Sequence, residues 1–559
     1  MTTHRERGRD HTNRSGIRCA AGRDQSPPVG KPVRLRAFVV SFGLGVLLLC
    51  GPPTPVGATT IGSVTGPPDL AQTFASIEGQ PRYAHADWGY TVIDVKSGKV
   101  LAAQNPQKMF DPGSTMKTYS VSTALSDYGP NYRFHTPVYR QGSVSGGTLN
   151  GNLILVASGD MSLGLREQPN GTLYYENSPK VDQSYADEDL PGAVEPPGDP
   201  LSGLDQLAAM VRASGITDVH GNVVIDDRLF APYSFPDGLI SPMWVNENLI
   251  DLLVTPGQAG QPASIDWRPM TASYTVDNHV TTVAAKDQTT LDVTEPTPGT
   301  LEVTGQIAAG STPTLRVWEV DDPSAFARTA FIEALQRAGV SVTSPATGPN
   351  PESILPAQGS LSTSDLVGEH VSAPLSQFAT LIMKVSYNRG ADLMVCLAAV
   401  KQGSKSCSQG LSAEVQTINR LGVSSSSAIP FDGAGSDDQG RTTPAALATF
   451  LRNATKTSFG KSLLNALPVL GQSGTMADVE AHSQAKGRAQ VKTGNRVVGS
   501  PTGQIIVLGN SLAGYAETKS GRQVAFMIAV GNVPIATSGV FETITSDQAR
   551  MVVAVQQDF

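Results

Sequence analysis

The strongest constraint on how this chain can fold is a set of three short polar motifs that lie far apart in sequence and are chemically useful only together. Ser114-x-x-Lys117 sits in DPGSTMKTYSVSTALSDYG, where Pro112 and Gly113 stop the preceding segment and Ser114 opens an apolar, Gly-free helical run. Residues i and i+3 share a helix face, so the Lys117 amine can reach the Ser114 hydroxyl and set a nucleophile beside its base. A lysine works as a base only when part of it is neutral, which takes partial burial or a second nearby cation. Ser386-Tyr387-Asn388 follows 272 residues after Ser114, and Lys492-Thr493-Gly494 comes 106 residues later still. Alternating Ala489, Val491 and Thr493 put the last motif on a strand edge. Lys492 then supplies the second cation, and Gly494 lets a substrate backbone lie close against the strand. Two further Ser-x-x-Lys copies, Ser458 to Lys461 and Ser483 to Lys486, fail this order.

The ordered trio SxxK, SxN and KTG is the serine acyl-transferase set. At these residues the chain resembles the D-alanyl-D-alanine carboxypeptidase/endopeptidases of the low-molecular-mass class C penicillin-binding protein family, whose motifs are similarly spaced around a large insert. LDQLAAMVRASGITDVHGNVVIDDRLF, FDGAGSDDQGRTTP, LPVLGQSGTMADVE and SLAGYAETKSGRQVAFMIAVGN are similar to the family's segments, and the likeness runs from Thr59 to the C-terminus. The resemblance implies that Ser114 forms an acyl-enzyme, Lys117 takes its proton and Ser386 relays a proton to the leaving amine. It also implies that Asn388 holds the substrate amide and Lys117, and that Lys492 with Thr493 binds the terminal carboxylate. Backbone N–H groups of Ser114 and Asn495 form the implied oxyanion hole. Asp160, in SGDMSLG, is a candidate for recognising an amino group on the stem-peptide side chain; the plainer reading is a turn aspartate after a strand. The implied partners are peptidoglycan stem peptides, with beta-lactams as covalent inhibitors, and no cofactor. The chain departs from the family pattern at Asn495, where Thr is usual, at Tyr387 in the middle of SxN, and in the interposed RVVGSPTGQIIVLGN.

The implied fold is α/β (α+β), an antiparallel sheet covered by helices, assembled from residues 59–147 and 322–559. The stretch 148–321 reads independently as a beta-rich insert, with strand-like runs such as HGNVVIDDRLF and STPTLRVWEV between Gly turns. Inside it, PKVDQSYADEDLPGAVEPPGDP at 179–200 is acidic and Pro-rich and reads as an exposed loop. The C-terminal TITSDQARMVVAVQQDF reads as a helix packed on a sheet. Eight scattered His residues with no HExxH argue against a metalloenzyme. No Ser lies in a GxSxG elbow. A serine beta-lactamase is the first rival reading, but Glu414 lacks the ExxLN spacing that deacylation in class A enzymes uses, and it reads as the solvated face of a helix carrying Val415, Ile418 and Leu421. A non-catalytic wall-binding scaffold of the same fold is the second.

Residues 1–36 carry nine basic and three acidic side chains, and 37–51 is the uncharged run AFVVSFGLGVLLLCG. With small residues leading to Ala58, segment 1–58 reads as a basic leader and a secretory signal peptide cut after Ala58, placing the protein in the bacterial envelope or outside the cell. Leu49-Cys50 invites a lipoprotein reading, which the bulky Leu49 disfavours. The remainder is strongly acidic, a poor partner for nucleic acid. It keeps two cysteines, Cys396 and Cys407. Parity and an oxidising compartment favour a bridge; two unpaired thiols are the alternative.

Overall fold

The computed structural model describes residues 66–186, 192–536 and 540–559; the leader, Cys50 and the expected cut after Ala58 lie outside the described residues. The chain enters through helix α1 (Pro68–Glu78) into strands β1 (Asp87–Asp94) and β2 (Val100–Gln104), then α2 (Lys117–Tyr128). β1 is buried at seven of its eight positions, and its DWGYTVID sequence lacks a polar-out alternation because helices cover both faces of the sheet. Next come β3 (Arg133–Ser145) and β4 (Thr148–Val156), followed by helices α3 (Ser202–Ala213) and α4 (Pro323–Arg337) and strand β5 (Leu366–Pro374).

The helical part follows: α5 (Leu375–Val385), α6 (Asn388–Lys401), α7 (Ser408–Arg420), α8 (Pro444–Ala454) and α9 (Gly460–Ala466). The chain closes with β6 (Ala489–Gly499), β7 (Ile505–Glu517), β8 (Gln523–Ile535) and helix α10 (Val540–Asp558). The central sheet has the order β2-β1-β8-β7-β6, antiparallel throughout, so the first and last thirds of the chain share one sheet. α1 and α10 cover one face, burying Phe74, Tyr90, Ile528 and Val552. α8, with α2 and α5 behind it, covers the other, around Tyr119, Phe378, Phe450 and Met527. Cys396 in α6 and Cys407 at the start of α7 form a disulfide. Among the described residues no helix is long and apolar enough to cross a membrane.

The beta-rich middle is present, but its sheets do not break at 148 and 322. A six-stranded sheet joins β3, β4 and β5 with Val223–Asp226, Asp218–Val219 and Ser341–Val342. α3 and α4 pack against it through Leu204, Leu207, Phe326 and Phe331. The structural insert therefore runs from about Arg133 to Pro374, because a strand cannot be separated from its hydrogen-bonded partners wherever the motif spacing suggests a boundary. Two three-stranded sheets, built around Leu249–Thr255 and Thr300–Ala308, complete it. The interposed RVVGSPTGQIIVLGN lengthens the β6–β7 hairpin, pairing Val498 with Ile506 and Gly499 with Ile505.

Candidate active site

Ser114 lies in a short 3-10 turn, Gly113–Met116, that feeds α2, so the motif occupies the helix entrance rather than its body. Residues 111–120 are all buried except Ser114, which is half-buried, so the packing leaves this hydroxyl accessible. Lys117 is fully buried, and its Nζ lies 2.7 Å from Ser114 Oγ, 2.6 Å from Asn388 Oδ1 and 2.9 Å from the Ala434 carbonyl oxygen. All three groups accept from the amine, a geometry that aims it at the serine.

The Ser-x-Asn turn joins α5 to α6. Ser386 ends α5 in the left-handed conformation, φ 64° and ψ 33°, which costs a non-glycine residue about 1 kcal/mol or more. Tyr387 is buried beneath the turn, and Asn388 opens α6. Lys492 reaches across from β6, donating to Ser386 Oγ at 2.9 Å and to the Thr493 carbonyl at 2.7 Å. It is fully buried, and burial, reinforced by the nearby Lys117 cation, holds its amine well below the ordinary lysine range. Thr493 shares a hydroxyl contact of 3.2 Å with Thr475, in LPVLGQSGTMADVE. Lys384 in α5 steadies that neighbourhood by donating to Leu467 O and Ser473 Oγ at 2.6 and 2.8 Å; burial pushes it down to about 8. The three motifs thus meet, with β6 at the sheet edge, as the alternation at Ala489, Val491 and Thr493 indicates.

Gly494 has a packing reason of its own to be glycine. A Cβ there would lie 2.1 Å from the Pro112 carbonyl oxygen and 2.9 Å from Thr115 N, so the missing side chain makes room for the Ser114 turn. Gly113, at φ +50°, meets the same strand from the other side: its Cβ would strike Asn495 N at 2.5 Å. This close approach sets the Asn495 backbone against the Ser114 turn. The Asn495 side chain accepts from its register partner Asn510 at 3.0 Å.

Several participants carry no sequence motif. Asn388 Nδ2 donates to Asp237 Oδ1 at 3.0 Å, so its amide group is engaged on both sides. Asp392 and Asp432 lie behind Lys117 and are pushed up, chiefly by burial. Asp432 accepts from the N–H groups of Gly435, Ser436 and Asp437 and so holds the FDGAGSDDQG loop that presents Ala434 to Lys117. The Tyr185 hydroxyl donates to the Ser386 carbonyl and lies 3.2 Å from Asn388 Oδ1. Segment 179–200 is therefore not simply an exposed loop: Asp182, Gln183 and Ala186 are buried, and it delivers a phenol to the site.

Two expectations change. Asp160 is buried and turned into its own loop, where Oδ1 accepts from Ser162 N, Ser162 Oγ and Leu163 N, while Oδ2 lies 3.5 Å from His370 Nε2. The turn reading describes it, and among the described residues these partners are not motif residues. With Glu167 and His370 it forms a three-residue cluster whose donor atoms lie within 4.8 Å. Burial opposes charge on His370, yet both carboxylates hold it up at about 10. Glu414 is not on a solvated face but fully buried on α7, and its acid is pushed up by burial and by Asp432.

The sequence profile of the D-Ala-D-Ala carboxypeptidase 3 (S13) family matches residues 70–549. A D-alanyl-D-alanine carboxypeptidase of Actinomadura sp. (strain R39) is 25% identical over 452 residues, covering 76% of each chain. The D-alanyl-D-alanine carboxypeptidase DacB of Haemophilus influenzae is 22% identical over 460 residues, covering 78% of this chain and 84% of that one. The crystal structure of penicillin binding protein 4 from H. influenzae superposes with a TM-score of 0.65 at 18% identity, over 88% of this chain and 99% of that one, and so shares the fold. Because the profile spans most of the chain and takes in all three motifs, the protein belongs to the D-Ala-D-Ala carboxypeptidase 3 (S13) family.

Proposed function

We propose that the protein is a serine-type D-Ala-D-Ala carboxypeptidase that cleaves peptidoglycan stem peptides through an acyl-enzyme on Ser114, and that the same chemistry extends to endopeptidase cleavage of cross-linked stems. The observation that carries this reading is the contact of 2.7 Å between Lys117 Nζ and the half-exposed Ser114 Oγ. Neutral Lys117 takes the hydroxyl proton as Ser114 Oγ attacks the carbonyl of the penultimate D-alanine. The N–H groups of Ser114 and Asn495 hold the oxyanion. Lys117 and Lys492 are buried amines that repel each other's charge, so a substrate carboxylate that draws the proton to Lys492 leaves Lys117 in the neutral form that accepts the serine proton. Ser386, in contact with Lys492, passes a proton to the leaving D-alanine amine, and water then releases the acyl group. The Thr493 and Thr475 hydroxyls, 3.2 Å apart, are the neutral groups to which this reading assigns the terminal carboxylate, beside Lys492. Beta-lactams acylate the same serine.

Labelling the purified protein with a fluorescent penicillin tests this. The wild type is expected to take covalent label and Ser114→Ala none, and the wild type should release D-alanine from a pentapeptide ending in D-Ala-D-Ala. No label under conditions where a known penicillin-binding protein is labelled would sink the mechanism. Loss of label within seconds would favour a beta-lactamase, and digestion of cross-linked wall dimers reads out the endopeptidase activity.

A further inference from the structure

A buried ionic network ties the segment between the Asp160 loop and α3 to the turn at Glu247. The Arg166 side chain is 1% exposed and binds Asp182 through two parallel hydrogen bonds of 2.9 Å. Its Nε donates to Glu247 at 2.5 Å. Arg166 itself sits at φ 67°, and Glu247 lies in the run Asn246, Glu247, Asn248, all at positive φ. Strained backbone and three desolvated charges persist only where the surroundings over-determine them.

The network ends at the acylation centre. Asp182 Oδ1 also accepts from Ser184 N and Ser184 Oγ, capping the short 3-10 turn Gln183–Tyr185. That turn presents Tyr185, whose hydroxyl donates to the carbonyl of left-handed Ser386. A second strut runs from the same segment: Asn177 Oδ1 accepts from Gly474 N at 2.6 Å, and Ser178 N donates to Gly474 O at 3.1 Å, next to Thr475. Lys117 Nζ donates to Asn388 Oδ1 and Asp237 Oδ1 accepts from Asn388 Nδ2, so these two groups fix the amide's orientation. The single Tyr185 proton goes to the Ser386 carbonyl, and the phenol oxygen lies 3.2 Å from Asn388 Oδ1, so it holds the turn that carries both residues.

We propose that Tyr185 is a positioning residue for Ser386 and Asn388, held in place by the buried Arg166–Asp182–Glu247 network. The proposal rests on the reading that Ser114 is acylated. It assigns to the segment between the Asp160 loop and α3 a part in setting the geometry of proton transfer.

The test uses the full purified protein and stopped-flow acylation by a fluorescent penicillin, which separates the binding constant from the acylation rate constant. For Tyr185→Phe the rate constant is expected to fall about tenfold, with binding changed less than about twofold and the melting temperature kept within about 3 °C, since one hydroxyl is lost without a cavity. Asp182→Asn, which weakens the clamp but keeps its shape, should show the same split. Wild-type acylation by Tyr185→Phe overturns the proposal, whatever Asp182→Asn does. So does an equal weakening of binding and rate with a lowered melting temperature, which would mark a purely structural contact. Absence of label on the wild type brings down the Ser114 reading and this proposal together, whereas label on the wild type with an unaffected Tyr185→Phe removes only the latter.

Discussion

Asp160 and Glu414 occupy surroundings that neighbouring residues in the sequence do not announce. Asp160 follows a strand in a Gly-Asp turn, and its partner His370 lies 210 positions away on a different strand, so nothing local marks it as half of a buried pair. Glu414 sits among helix residues whose spacing leaves it on the polar side, yet α7 packs against both α6 and α2, and Glu414 is buried. The His370 pair makes a definite prediction. Removing the imidazole in His370→Ala leaves the Asp160 carboxylate buried without its counter-charge, which costs about 3–5 kcal/mol at neutral pH. The folded-state value near 10 lies above the ordinary 6.5, so the pair's stabilisation is complete below 6.5 and is lost as pH rises toward 10. Urea midpoints of wild type and variant should therefore differ more at pH 6.5 than at pH 10. An equal difference at both would show that His370 folds uncharged.

The edge strand β6 and the turn before α2 are built for each other, at a separation that only glycine allows. Pro112 O accepts from Ser511 Oγ at 2.7 Å, and the Gly494 Cα faces the same oxygen. Gly494→Ala must push the turn away, and because a shift of about 1 Å at a reacting centre costs roughly 10²-fold, penicillin acylation should fall by that order. Overpacking should lower stability by about 1–3 kcal/mol, readable as a shifted urea midpoint. Acylation near the wild-type rate would show that the turn can move without harm. The motif's strand was legible from alternation alone, and the sheet order puts it at the edge. The reason for its glycine was not, because the atoms that exclude a side chain come from 382 residues upstream. Segment 179–200 teaches the same lesson: its acidic, Pro-rich composition describes a loop, while the arginine that buries Asp182 lies outside it.

Across the whole molecule, the catalytic sheet is closed by strands from both ends of the chain, and the inserted sheets take strands from further out on each side than motif spacing suggests. We propose that this body is exported, since the leader pattern and the acidic remainder fit passage out of the cytoplasm. Intact mass of protein recovered from the envelope or medium of an expressing bacterium should match a chain beginning at Thr59. A mass retaining the leader, or one carrying a lipid on Cys50, would contradict the cut after Ala58. The amino-acid sequence by itself determined the three motifs, their order and the strand-rich character of the middle of the chain, because short motifs and strand periodicity are local properties. Only the tertiary structure decided which elements share a sheet, why Gly494 is glycine, where Asp160 and Glu414 are buried, and that Tyr185 reaches the Ser386 turn. Each of these depends on a contact between residues distant in sequence, and burial and hydrogen-bond partnership exist only once the chain has closed on itself.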